Sequence, residues 1–358
     1  MLLDVVKIIL PTALTFFIGI LITSPITDFL YKNKMWKSKA GKLDTSGNTA
    51  SVFNKFHSET EAKTPRMGGI VIWLSVLIVV FLLLLLSKIT SIDFFKKIDF
   101  LSRNQTWIPL TAMILGAVIG LIDDLFEIKG KSDGIAGGIS STKRLALVSI
   151  ISLFVASWFY FKLGVSSISL PFQYYIDIGF LIIPFFILVT IIIYSGGVID
   201  GLDGLSGGIF AIMFSAYGII AFSLGQINLA AFCGAIVGGT LAFLWFNIPP
   251  ARFYMTETGS MSLTIVLAIV AFMTDHIVGG IGFLVLPIIA FPLIATAGSS
   301  FIQIMSKKYR NGKKVFLAAP LHYHFEAIGW PSYKVVMRYW IISVILATIG
   351  ILFALLFV

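Results

Sequence analysis

Three stretches of this sequence combine carboxylates with residues that leave room for a phosphate or a metal ion. The first is Gly120-Leu-Ile-Asp-Asp124, where two adjacent acids follow an apolar run. The second is Ser195–Gly208, which has six glycines around two aspartates, and the third is Asn247–Ser260. Glycine lets another group approach the backbone closely, and carboxylates are ligands that hard cations prefer. We predict that these stretches form one divalent-metal and phosphate site.

Within these stretches, Asp200 and Asp203 are three residues apart and would share a face on a helical turn. Glu257 lies among amide, guanidinium and aromatic groups that suit a nucleobase. A fourth stretch, Ala319–Pro331, contains His322 and His324. No third histidine or cysteine lies nearby to complete a zinc site, so we interpret both histidines as phosphate contacts or proton handlers.

The elements that carry these residues are predicted to be membrane helices. The chain has 358 residues, of which 58% are hydrophobic and 12% charged, whereas soluble domains have about 25% charged residues. Ten apolar segments lie near 5–27, 68–87, 108–122, 144–161, 178–194, 209–224, 228–246, 260–274, 277–305 and 340–357. We therefore predict an all-α integral membrane protein of about ten transmembrane helices. Pro287 and Pro292 predict a broken ninth helix.

The distribution of lysine and arginine predicts the orientation of these helices. The connections that follow odd-numbered segments contain 20 of the 26 basic residues. Because basic residues remain on the cytoplasmic side, both termini are predicted to be outside. The carboxylates described above fall in the same connections. We expect a single polytopic domain with cytoplasmic active-site loops near 30–67, 123–143, 195–208, 247–259 and 306–339.

Six motifs resemble those of the MraY family, the phospho-N-acetylmuramoyl-pentapeptide-transferases, within the polyprenyl-phosphate N-acetylhexosamine-1-phosphate transferase superfamily. The resemblance extends over nearly the whole chain. Its motifs are Thr64-Pro-Arg-Met-Gly-Gly69, Gly120-Leu-Ile-Asp-Asp124, Asp200-Gly-Leu-Asp-Gly204, Trp245-Phe-Asn247, Thr258-Gly-Ser260, and Ala319-Pro-Leu-His-Tyr-His-Phe-Glu326 with Gly329-Trp-Pro331.

This resemblance implies transfer of phospho-MurNAc-pentapeptide from UDP-MurNAc-pentapeptide to undecaprenyl phosphate, which gives lipid I and UMP with Mg²⁺. It implies a homodimer in the bacterial inner membrane, in contact with membrane lipids, with no nucleic-acid partner. Asp123, Asp124 and Asp200 would be catalytic, and Asp200 and Glu257 would bind the metal. The implied substrate-binding residues are Lys63, Arg144, Asp203, Asn247, Tyr254, His322 and His324.

The sequence also departs from the family pattern at several motif positions. Met255-Thr-Glu-Thr-Gly-Ser260 stands where the family has Met-Gly-Asp-Thr-Gly-Ser. Glu127 replaces a basic residue, and Arg66 replaces the usual threonine and is closer to the UDP-GlcNAc branch. Gly197 and Tyr323 stand where asparagine and histidine are usual.

Three alternative functions follow from these features. A related enzyme would use UDP-GlcNAc or another UDP-HexNAc as donor, and an inactive homologue would have a scaffolding role. A secondary transporter is the alternative of a different class. Transporters place charges near the bilayer midplane on broken helices, whereas here the acids lie at one boundary and the segment interiors are nearly free of charge.

Overall fold

The computed structural model describes residues 2–37, 63–102, 104–130, 138–275 and 280–357. Parts of the predicted loops near 30–67 and 123–143 lie outside the described residues. The helices are α1 Leu2–Lys32, α2 Ile70–Ile89, α3 Asp93–Ile98, α4 Trp107–Ile128, α5 Ser141–Leu163, α6 Ile182–Ser195, α7 Leu205–Ser223, α8 Ile227–Asn247, α9 Thr256–Met273, α10 Gly282–Ile289, α11 Phe291–Tyr309, α12 Leu321–Ala327 and α13 Ser332–Leu356.

The predicted all-α membrane architecture is confirmed. In the described ranges, nine helices are long and apolar enough to cross a membrane, and the total is ten if α10 and α11 together form one span. The axes of α10 and α11 differ by 62°, which confirms the predicted break in the ninth segment. The break is at Ala290, and Pro292 occupies the first turn of α11, where its missing N–H removes no helical hydrogen bond.

Helix α9 lies at the centre of the protein. Of its 18 residues, all except Glu257 are buried. Two glycines allow α4 to pack closely against it, because a Cβ on Gly116 would press on the Ser262 backbone and one on Gly120 would collide with the Glu257 carbonyl. The glycine of the Gly120–Asp124 motif therefore brings the two acids that follow it to the start of α9.

A second close contact joins α8 to α1. The small residues Gly234 and Gly238 predict such a contact, and the structure confirms it. Neither glycine has room for a Cβ, since the hydroxyl and carbonyl oxygens of Thr12 lie directly against them.

The connections that follow α1, α4, α6 and α8 converge at one end of the helices. The Tyr254 N–H donates to the Pro65 carbonyl at 2.9 Å, and the Asn247 side chain accepts from Gly204 N–H at 2.9 Å. At the opposite end, β1 Ser167–Ser169 and β2 Tyr175–Asp177 form an antiparallel hairpin between α5 and α6. The carboxylate-bearing connections therefore share one end, and their assignment to the cytoplasm stays a prediction.

Candidate active site

Two aspartates from different elements bind the N-terminus of α9. Asp200 follows α6, and its Oδ2 accepts the Thr256 N–H at 2.7 Å. Asp124 ends α4, and its Oδ2 accepts the Thr258 N–H at 3.0 Å and both threonine hydroxyls at 2.5 Å. The first N–H groups of a helix lack partners within the helix and carry partial positive charge. Both carboxylates are therefore stabilised at the start of α9.

Arg144 forms ion pairs with two further acids, Glu257 and Asp123. Its Nη1 lies 2.5 Å from Glu257 Oε1 and 3.6 Å from Asp123 Oδ2. The Tyr194 hydroxyl donates to the other Glu257 oxygen at 3.3 Å. Asp123 is 1% exposed and accepts the Ile139 N–H at 2.6 Å. The guanidinium at the start of α5 thus compensates carboxylates from α4 and α9.

Arg66 forms ion pairs with two acids of α4, Glu127 and Asp124. Its Nη2 lies 2.7 Å from Glu127 Oε2 and 3.5 Å from Asp124 Oδ1. Lys37 Nζ is 3.6 Å from the second Glu127 oxygen. Glu127 is 8% exposed and Asp124 is fully buried, so solvent screens these contacts weakly.

The charges of this cluster suit a divalent cation. Oxygens of Asp123, Asp124 and Glu127 lie within 4.8 Å of one another. With Asp200 and Glu257, the cluster has five carboxylates against Arg66, Arg144 and Lys37, which leaves a formal charge of −2 among these described residues. Carboxylate oxygen is the ligand type that Mg²⁺ prefers. These residues therefore fit such an ion, and the metal-ligand prediction of Asp200 and Glu257 stays a prediction.

The glycine-rich connection after α6 is a turn rather than a helix between Ile199 and Leu205. Asp200 and Asp203 consequently contact different groups, and Asp203 Oδ2 accepts the Ala251 N–H at 3.0 Å. Asn247 is 2% exposed; besides accepting from Gly204, its amide donates to the Phe253 carbonyl at 2.9 Å.

Helix α12 packs on the same turn through Gly201. The Tyr323 hydroxyl donates to the Gly201 carbonyl at 3.0 Å, and a Cβ on Gly201 would collide with His322 Nε2. His322 is fully buried there. His324 points to its own loop, where its Nδ1 accepts the Leu317 N–H at 3.2 Å.

The remaining predicted residues lie around the cluster. Tyr254 is half-buried, and its backbone holds the 63–69 segment through Pro65 and Gly68. Lys63 is exposed at the beginning of that segment. Arg144 is therefore in direct contact with Asp123 and Glu257, and Asn247 is joined to the turn after α6 through Gly204. Lys63 and His324 have none of these contacts among the described residues.

Thr256, Thr258 and Tyr194 contact the acids but are absent from the residues predicted above. Sequence contains one signal for the threonines, because hydroxyl residues flank Glu257 at the start of an apolar run. For Tyr194 the sequence signal is its position, because it directly precedes the Ser195–Gly208 stretch and is the only tyrosine of its helix.

The sequence pattern of glycosyl transferase family 4 matches residues 106–275. Curated relatives include the phospho-N-acetylmuramoyl-pentapeptide-transferases of Bartonella quintana, which is 34% identical over 81% of this chain and 80% of its own, and of Thermodesulfovibrio yellowstonii, which is 34% identical over 83% and 81%. That of Francisella tularensis subsp. tularensis is 32% identical over 97% and 92%. This chain belongs to the phospho-N-acetylmuramoyl-pentapeptide-transferase family.

Two departures from the pattern of phospho-N-acetylmuramoyl-pentapeptide-transferases contact each other in this member. Arg66 stands where the resemblance described above implies a threonine, Glu127 stands where it implies a basic residue, and the two form the 2.7 Å ion pair. In the family pattern described above, the positive charge beside Asp124 would come from position 127, whereas here it comes from position 66 and is paired with Glu127. The pair is consistent with a local exchange that keeps a cation beside Asp124.

Proposed function

We propose that this chain transfers phospho-MurNAc-pentapeptide from UDP-MurNAc-pentapeptide to undecaprenyl phosphate and releases UMP. The observation that carries the proposal is the cluster of five carboxylates around the start of α9 in a chain of this family. In the reaction, a phosphate oxygen of the lipid forms a bond to the sugar-linked phosphorus. The pyrophosphate P–O bond breaks, and its oxygen leaves with UMP.

We propose that Asp123, Asp124 and Asp200 are the catalytic carboxylates and that Asp200 and Glu257 are metal ligands. Mg²⁺ held there would neutralise phosphate oxygens, which is the main requirement of phosphoryl transfer. The lipid phosphate is already mostly ionised at neutral pH, so positioning by the carboxylate cluster matters more than a general base.

The substrate-binding proposals divide between two sides of the cluster. Asp203, Asn247 and Tyr254 would face the uridine side, and Asn247 would act by holding the turn that contains Asp203. His322 and His324, with Lys63 and Arg144, would contact phosphates or sugar. His322 is buried against Gly201. This favours a contribution to substrate binding through the position of the turn.

The topology proposal follows from the basic residues. We propose that the converging connections face the cytoplasm of a bacterial cell and that both termini are outside. The cluster then lies where a water-soluble nucleotide sugar and a membrane-embedded lipid phosphate can both reach it. A homodimer is proposed from the family resemblance alone.

The arginine at position 66 favours a second donor, UDP-GlcNAc, because the Pro-Arg-Met-Gly-Gly motif is closer to that of the enzymes that use UDP-GlcNAc. Its ion pair with Glu127 gives Arg66 a role inside the protein. An arginine at this position therefore does not require a different donor, and we retain the first proposal.

The test measures UMP release by the detergent-purified protein with undecaprenyl phosphate, Mg²⁺ and each donor in turn. We expect product from UDP-MurNAc-pentapeptide, none from UDP-GlcNAc, and none from the Asp200→Asn variant. Radiolabelled lipid product from UDP-GlcNAc alone would replace the first donor with the second. No product from either donor would contradict both.

A further inference from the structure

We propose that Thr256 is a positioning residue that sets the spacing of Asp124 and Asp200 and that its hydroxyl is required for this. Its N–H donates to Asp200 Oδ2 at 2.7 Å, and its Oγ1 donates to Asp124 Oδ2 at 2.5 Å. Asp124 lies in α4 and Asp200 in the connection after α6, and the two aspartates meet through this one residue. Their separation therefore depends on the dimensions and conformation of Thr256.

The backbone of Thr256 is in an unfavourable conformation for a threonine. Its φ is +54°, in the left-handed region that β-branched residues rarely adopt. Met255 before it has φ −62° and ψ −50°. A right-handed residue followed by a left-handed one turns successive N–H groups toward a common anion. Here the Thr256 N–H of this pair donates to the Asp200 carboxylate, so the strained backbone serves a contact at the site.

The Thr256 hydroxyl also accepts a hydrogen bond from a third segment. The Met67 N–H donates to Thr256 Oγ1 at 3.1 Å, and Met67 is itself in the left-handed region with φ +70°. An ionised carboxylate only accepts hydrogen bonds. Two acceptors lie within reach of the Thr256 hydroxyl proton, the Asp124 carboxylate at 2.5 Å and the Met255 carbonyl at 2.8 Å. The ionised carboxylate is the nearer and the stronger acceptor, so the proton points to Asp124. Gly69 packs against Gly259 without room for a Cβ, which holds the two segments together.

Loss of the hydroxyl should leave the protein folded. Asp124 would retain the Thr258 N–H and hydroxyl, and Asp200 would retain the Thr256 N–H and the Ser206 hydroxyl at 2.6 Å. What would be lost is the link that orients Asp124 relative to Asp200. Any cation that needs both carboxylates would then bind less well.

The test compares Thr256→Val, which removes only the hydroxyl from a side chain of the same shape, with Thr256→Ser, which keeps it. Thr240→Val is the matched control, since Thr240 is also buried but donates to the Ile236 carbonyl of its own helix. Mn²⁺ binding to the purified protein is measured from the EPR signal of the free ion. We expect Thr256→Val to weaken Mn²⁺ binding about tenfold or more, as other supporting residues of metal sites do, whereas Thr256→Ser and Thr240→Val bind like the parent protein.

UMP release provides a second readout, which rests on the proposed function. Thr256→Val should lower kcat about tenfold or more, with the KM for undecaprenyl phosphate nearly unchanged. A purely structural role would lower the active fraction without changing Mn²⁺ affinity. If the parent protein releases no UMP with any donor, the proposed function fails, and the Mn²⁺ comparison still decides the role of Thr256.

Unchanged Mn²⁺ binding in Thr256→Val would overturn the proposal, and so would a parent protein that binds no Mn²⁺. If Thr256→Val does not elute as a folded protein in gel filtration, Thr256→Gly replaces it. Glycine removes the hydroxyl and relieves the left-handed backbone. We expect Thr256→Gly to be at least as stable as the parent protein and to bind Mn²⁺ as weakly as expected for Thr256→Val. Mn²⁺ binding as strong as that of the parent protein would overturn the proposal.

Discussion

The ion pair between Arg66 and Glu127 predicts that the two positions can be exchanged together but not singly. Arg66→Thr removes the guanidinium that lies 2.7 Å from Glu127 and 3.5 Å from Asp124. Glu127→Lys places a third cation beside Arg66 and Lys37. In the double variant, Lys at position 127 can supply the positive charge to Asp124, and the neutral Thr at position 66 removes the stronger of the two repulsions, so that only the one with Lys37 remains.

The magnitude follows from the burial of the partners. Removing one member of a buried ion pair costs about 3–5 kcal/mol, because it leaves a charge uncompensated. We take about 3 kcal/mol for Arg66→Thr, since Lys37 and the threonine hydroxyls still contact Glu127 and Asp124. At roughly 2 °C per kcal/mol, Tm should fall by about 6 °C. The double variant should stay within about 2 °C of the parent protein.

The single cysteine of the chain makes this measurement direct. Cys233 is fully buried in α8, so a thiol-reactive dye reports unfolding of the membrane domain when the protein is heated in detergent. Lys96→Thr is the matched control, because its pair with Asp93 is 4.0 Å long and exposed, and we expect no measurable shift. Additive losses in the double variant would refute the coupling of Arg66 and Glu127.

Four further predictions follow from the same cluster. Asp200→Asn should lower kcat by about a hundredfold or more in the UMP assay, with an unchanged gel-filtration profile. Glu257→Asp should keep or raise activity and lower Tm slightly, because the shorter side chain loosens its contact with Arg144. Asn247→Ala should lower Tm by about 4 °C, since it leaves the Gly204 N–H without its acceptor at a cost of about 2 kcal/mol; an unchanged Tm would contradict this. Mg²⁺ should raise Tm in proportion to the logarithm of its concentration above Kd, and Asp200→Asn should reduce the rise.

The membrane architecture was predictable because its signal is local. Each apolar run is long enough to show where a helix lies, and Pro287 and Pro292 bracket the observed break at Ala290. The close contact at Gly238 was also predictable, since small residues four apart mark a helix crossing. The partner of that contact, Thr12, lies more than two hundred residues away and has no local signal.

The site was predictable as a set of acids but not as a network. The motifs around Asp123 and Asp200 identify carboxylates, since these residues are rare in an apolar chain. Their partners depend on how helices cross, so the Arg144 contact with Glu257 and the strained Thr256 required the structure. The expectation that Asp200 and Asp203 share a face depended on a helical turn, whereas the chain there is an irregular turn between helices.

The departures from the family pattern are best understood by where they lie relative to α9. Arg66 and Glu127 contact each other, so a cation remains beside Asp124 although both residues differ from the family pattern. Thr256 stands where the family has glycine and keeps a left-handed backbone that glycine adopts freely. The hydroxyl contact with Asp124 is what a threonine adds at this position and a glycine lacks.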